Sequence, residues 1–184
     1  MKVKTLKNVR TRKEKIYSLS VSAYLAAFAL ILMLAESYLP PLVSAAPGAK
    51  FGLGNIAIMV AFVAMGFRCA FVVLIVKICV GSIFLGNLFA LVYSLPAGII
   101  SFLVFAILAR TCHRFLNLAV ISVIAALVHN IVQVLVASLF VKNILIVTVL
   151  PWLAIISVVA GIVTALCAKF ILIKVFKGER KYAL

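Results

Sequence analysis

Aspartate is absent from this chain of 184 residues, and glutamate occurs only at Glu14, Glu36 and Glu179. Magnesium prefers hard oxygen ligands, commonly carboxylates. Three glutamates divided between two tails and one apolar run form no such site. A Gly-x-x-x-x-Gly-Lys-Ser/Thr loop is missing too, so the chain has no cradle for nucleotide phosphates; Gly52-Leu53-Gly54 is only a short glycine cluster. The four cysteines (Cys69, Cys79, Cys112 and Cys167) include no Cys-x-x-Cys pair, which leaves neither a zinc nor a redox-dithiol pattern. They read as small hydrophobes. No Ser-His-acid set is apparent, and His113 falls in a turn. The chain is therefore expected to have no catalytic residue, metal or cofactor, and not to be an enzyme.

What the chain does have is apolar length. Hydrophobic residues make up 67% of it and the mean hydropathy is +1.36, which points to an integral membrane protein. Its runs are continuous, where a membrane barrel would show short alternating segments, so the expected class is all-α and polytopic. Six spans are predicted, at about 17–39, 51–67, 69–86, 88–109, 118–140 and 147–172, in a single membrane domain with basic tails at 1–16 and 173–184. Ser44-Ala45-Ala46 resembles a signal-peptide cleavage site. The apolar stretch Tyr17 to Leu39 is much longer than a signal core, however, and reads as a retained first helix. Pro40-Pro41 ends that helix, Gly66-Phe67-Arg68 makes a tight turn, and Lys142-Asn143 begins the turn before the sixth span.

The formal charge of +15 reads as membrane orientation and not as nucleic-acid binding. With both termini cytoplasmic, fifteen of the eighteen Lys and Arg residues lie inside, Lys50 and Lys142 lie outside, and Lys77 lies within the membrane. The basic tails are placed to meet anionic lipid.

Lys77 is the most informative of these residues, because a cation at the bilayer centre costs about 3 kcal/mol or more and is usually retained for a partner or a substrate. The fifth span carries His129, Asn130 and Gln133 on one helix face. At 1.5 Å per residue His129 lies ~16 Å along its helix, a depth comparable to that of Lys77. Glu36, Lys50, Asn55 and Asn87 lie further outward, and Glu36 is placed to pair with Lys50. A ligand cavity opening outward is expected, with Lys77, and Lys50 beside it, holding an anionic or carbonyl group. Asn55, His129, Asn130 and Gln133 complete it. The competing reading is plain interhelical hydrogen bonding. Two small-residue stripes, Ala23/Ala27 and Ser157/Gly161/Ala165, permit close helix packing; the second is expected to pack inside the bundle.

The segments Lys50-Phe-Gly-Leu-Gly-Asn-Ile, Lys77-Ile-Cys-Val-Gly-Ser-Ile-Phe-Leu-Gly and Val128-His-Asn-Ile-Val-Gln resemble a bacterial membrane family labelled "Gx transporter" or "heptaprenyl diphosphate synthase component I". That family in turn looks like the substrate-binding S components of energy-coupling-factor (ECF) transporters. The resemblance implies a six-helix subunit of the bacterial cell membrane that captures a small molecule from outside. It also implies a transmembrane coupling subunit docked at an Ala-x-x-x-Ala pattern, matched here by Ala23 and Ala27, and ATPase subunits beside it. The family's usual Lys-Leu-Gly-Leu-Ala-Asn is altered here at Phe51 and Gly54. The second label implies a different role, that of a membrane accessory to a prenyl-diphosphate synthase in quinone biosynthesis. With no aspartate-rich motif, an independent synthase does not fit this chain.

Overall fold

The structure, a computed structural model, describes residues 2–38, 52–112 and 115–175. Lys50, His113, Arg114 and the chain beyond Val175 lie outside the described residues. Six α-helices follow one another: α1 Lys2–Ser37, α2 Gly54–Met65, α3 Phe67–Phe84, α4 Phe89–Thr111, α5 Leu118–Val141 and α6 Leu150–Val175, the last preceded by a 3-10 segment, Ile144–Val149. The described residues are helical and polytopic, as expected from their composition. Most bounds fall within three residues of the sequence reading, and two elements depart from it in length. The basic segment read as a tail is helical back to Lys2, so α1 is 36 residues long. The second helix has 12 residues, enough to rise ~18 Å against a hydrocarbon core of about 30 Å.

Gly66 explains the short α2. Its φ of 89° and ψ of −177° lie in a region essentially reserved for glycine. Its N–H donates to the carbonyls of Ala61 and Phe62 and so closes α2, while α3 begins at the next residue. A helix this short is sheltered by its neighbours: Gly54 and every residue from Ile56 to Ala61 are buried, the pattern of a helix apolar all round. The other five helical stretches are long and apolar enough to cross a membrane: Ile16–Ser37, Phe67–Phe84, Phe89–Thr111, Leu118–Val141 and Ile144–Val175. Ile107, Leu135, Ile155 and Leu166 lie exposed on their outer surfaces, an apolar belt that suits lipid and not water.

Local chemistry sets the remaining boundaries. Asn117 caps α5, its side chain accepting from the Val120 N–H at 3.0 Å. Lys142 ends α5 in the left-handed conformation, with φ 54°. Asn143 then accepts from the Leu145 N–H, and Pro151 falls in the first turn of α6, where its missing N–H costs nothing.

Side-chain contacts give the topology. Lys77 of α3 meets Asn55 of α2, so these helices run antiparallel about Gly66. Ser18 meets Cys69, and Gly81 lies beside Leu30 and Met33, so α1 and α3 run parallel. Successive pairs from α3 to α6 are antiparallel: Gly98 packs on Ile78, Ser101 approaches His129, and Asn130 bonds Ser157. Because α6 also packs on α2, helices α2 to α6 close into a ring, and α1 lies against the α2–α3 hairpin. The stripe on α6 packs inside the bundle as expected. Ser157, Gly161 and Ala165 are buried, and a Cβ on Gly161 would stand 2.6 Å from the Val123 Cα.

Candidate functional site

The ring encloses a cavity of about 370 Å³, within the range of small-molecule sites. One end is reached by Glu36, Gly52 and the exposed Asn87. The opposite end is lined by Met59, Leu74, Phe102, Phe105 and Ala125, with Ser122 and Thr164, whose hydroxyls lie 3.1 Å apart. Phe102 and Phe105 of this floor form one aromatic cluster with Phe62, Phe67 and Phe71. The Arg110 guanidinium lies 5.9 Å from the Phe62 ring centre and 5.4 Å from that of Phe67, within cation–π range.

The structure brings five of the sequence-predicted residues to this one cavity: Asn55, Lys77, His129, Asn130 and Gln133. Lys77 comes from the middle of α3 and donates from Nζ to Asn55 Oδ1 at 2.6 Å. The contact is a charge-assisted one between helices. His129 lies within electrostatic range of Lys77, and its ring meets the Ala97 backbone and the Gln133 side chain. Its Nδ1 is also 3.4 Å from Ser101 Oγ. Asn130 reaches the cavity, but its amide donates to Ser157 Oγ at 2.7 Å and to the Leu153 carbonyl at 3.4 Å. That amide ties α5 to α6, the packing role weighed for it from sequence. Lys50 lies outside the described residues. Ala23 and Ala27 are both exposed on α1, while Ser22, Ala26 and Ala29 face the bundle.

Two roles were not readable from the sequence. Gly54 provides the passage for Lys77: a Cβ there would stand 2.8 Å from Lys77 Cε and 2.9 Å from the Ala29 carbonyl oxygen. The glycine at a helix entrance was visible in the sequence, but its crossing by a lysine from another helix was not. Glu36 is buried, and its two carboxylate oxygens accept from the N–H groups of Gly52 and Leu53 at 2.7 and 3.0 Å. These N–H groups open α2, where a negative charge is favoured by the helix dipole. The expected pairing with Lys50 falls outside the described residues.

Residues 25–171 match the family described as heptaprenyl diphosphate synthase component I. The chain belongs to this family. The match covers α2 to α5 whole, the last third of α1 from Leu25 onward and α6 as far as Ile171, and so takes in every residue that lines the cavity. No curated protein and no solved structure matches the chain.

Proposed function

We propose that this protein is the substrate-binding membrane subunit of a small-molecule transporter, resembling an ECF S component and without catalytic activity of its own. The observation that carries the reading is the meeting of Asn55, Lys77, His129 and Gln133, from three helices, in one cavity at membrane depth. Polar groups at that depth are costly and concentrate where a substrate or ion is handled. On this reading the ligand enters from the Asn87 end, the basic termini face the cytoplasm of a bacterial cell, and Lys50 adds a second cation near the entrance. The exposed Ala23/Ala27 face of α1 receives a transmembrane coupling subunit, and ATPase subunits supply the energy. A thermal-shift screen of the purified protein against vitamins and flavins tests it. A ligand that stabilises the folded protein supports the reading, and silence across the panel in a monodisperse sample counts against it.

The family description favours a second reading, in which the chain is the membrane partner of a separate prenyl-diphosphate synthase. An aspartate-free chain needs such a partner for magnesium–diphosphate chemistry. Affinity purification from membranes separates the two readings: ATPase subunits accompany the chain on the first, a soluble prenyl synthase on the second.

A further inference from the structure

The cavity's charges, its size and the division of its lining restrict what it accepts. Among the described residues that line it, Lys77 is the one lysine or arginine and Glu36 the one carboxylate. The Glu36 oxygens are engaged by the opening N–H groups of α2. Lys50 lies outside the described residues and does not enter this count. A diphosphate brings several negative charges, more than Lys77 compensates even when Lys50 joins it from the proposed entrance; an uncompensated charge is severely disfavoured away from water. Size points the same way: about 370 Å³ lies near the lower end of the range for sites that take drug-sized ligands, and a chain of seven isoprene units is longer than such a ligand. The lining is divided along the ring: Lys77, Asn55 and Gln133 lie nearer the Asn87 end, while Met59, Leu74, Phe102 and Phe105 form an apolar floor below them.

We infer that the cavity takes a compact amphipath, uncharged or singly negative, that sets an acceptor oxygen on Lys77 and its apolar body on the Met59–Phe105 floor, and that it does not take a prenyl diphosphate. The inference rests on the ligand-binding reading above and narrows it to a class. Gly54 adds to the selectivity. By letting the Lys77 stem cross α2 beside the Ala29 carbonyl, it holds the ammonium against Asn55 at one wall of the cavity and leaves the centre to the ligand's body.

The test uses one ten-carbon tail with three heads: geranyl diphosphate, geranate and geraniol. Binding is measured by calorimetry to the full chain in lipid nanodiscs, with empty nanodiscs as the control for partitioning. Geranate is expected to bind at least tenfold more tightly than geranyl diphosphate. In Lys77→Gln, which keeps a donor for Asn55 but no charge, geranate affinity falls about tenfold, and geraniol, whose hydroxyl carries no charge, loses less. A charged hydrogen bond lost from a dry site has about this size. Geranyl diphosphate binding as tightly as geranate overturns the head-group assignment and leaves the ligand-binding reading standing. Silence from all three overturns the amphipath class, and the vitamin and flavin panel then decides the broader reading: a hit there preserves it, and none removes both. The three-head comparison needs only the parent protein, so it holds even if the variant fails to fold.

Discussion

Glu36 shows at the scale of one residue how this bundle uses its scarce acid. Both carboxylate oxygens receive backbone N–H groups from the start of the α2 segment, so the last turn of α1 fixes where α2 begins. In Glu36→Gln the amide has one acceptor oxygen, and its NH₂ would face one of the two N–H donors. A buried donor left without an acceptor costs about 1–3 kcal/mol. The melting temperature in detergent should drop accordingly; a variant that melts with the parent would show that the Glu36 contacts add nothing. The sequence made Lys77, His129 and Gln133 conspicuous because each interrupts an apolar run, and an interruption is visible in one dimension. The capping by Glu36 and the passage at Gly54 depend on which helices cross at those points, and no local pattern carries that information.

At the scale of the helix, two glycines differ in what stands opposite them. A Cβ on Gly161 would meet the Val123 backbone, with N and Cα at 2.8 and 2.6 Å. A Cβ on Gly98 would meet the Ile78 Cδ1 at 2.5 Å, with Leu74 Cδ1 at 3.4 Å. A methyl at the end of a side chain can turn aside, whereas a helix backbone moves only with its helix. Gly161→Ala should therefore cost about 1–3 kcal/mol and lower the melting temperature more than Gly98→Ala. The reverse order would show that α5 and α6 separate freely. The α6 stripe was legible from sequence because small residues recur every fourth position. The length of α2 was not, since the run from Phe51 to Phe67 is apolar apart from Asn55. What divides it from α3 is the conformation of Gly66, and a glycine in an apolar run does not announce its φ.

At the scale of the whole molecule, the six-helix count and the helical class followed from hydropathy and the distribution of charge. The closing of the ring by α2 on α6 did not, since it pairs helices distant in sequence. The ring makes the proposed orientation testable. Asn87 and Arg68 are both exposed and lie at opposite ends of α3. In a background without native cysteines, Asn87→Cys should react with a membrane-impermeant maleimide on intact cells, and Arg68→Cys only after permeabilisation. Labelling in the opposite pattern would invert the bundle and move the cavity entrance to the cytoplasm.

The hairpin at Gly66 also bears on how the protein is made. A 12-residue helix is shorter than the roughly 17 residues needed to span a bilayer unaided. Emerging from the ribosome, α2 is too short to be a stable span in its own right, and is expected to enter lipid paired with α3. The single-residue joint suits that route, because it keeps the two helices side by side from the moment both are made. The cavity wall formed by Asn55 and Lys77 would then be assembled in one insertion event, before α4 to α6 have been synthesised.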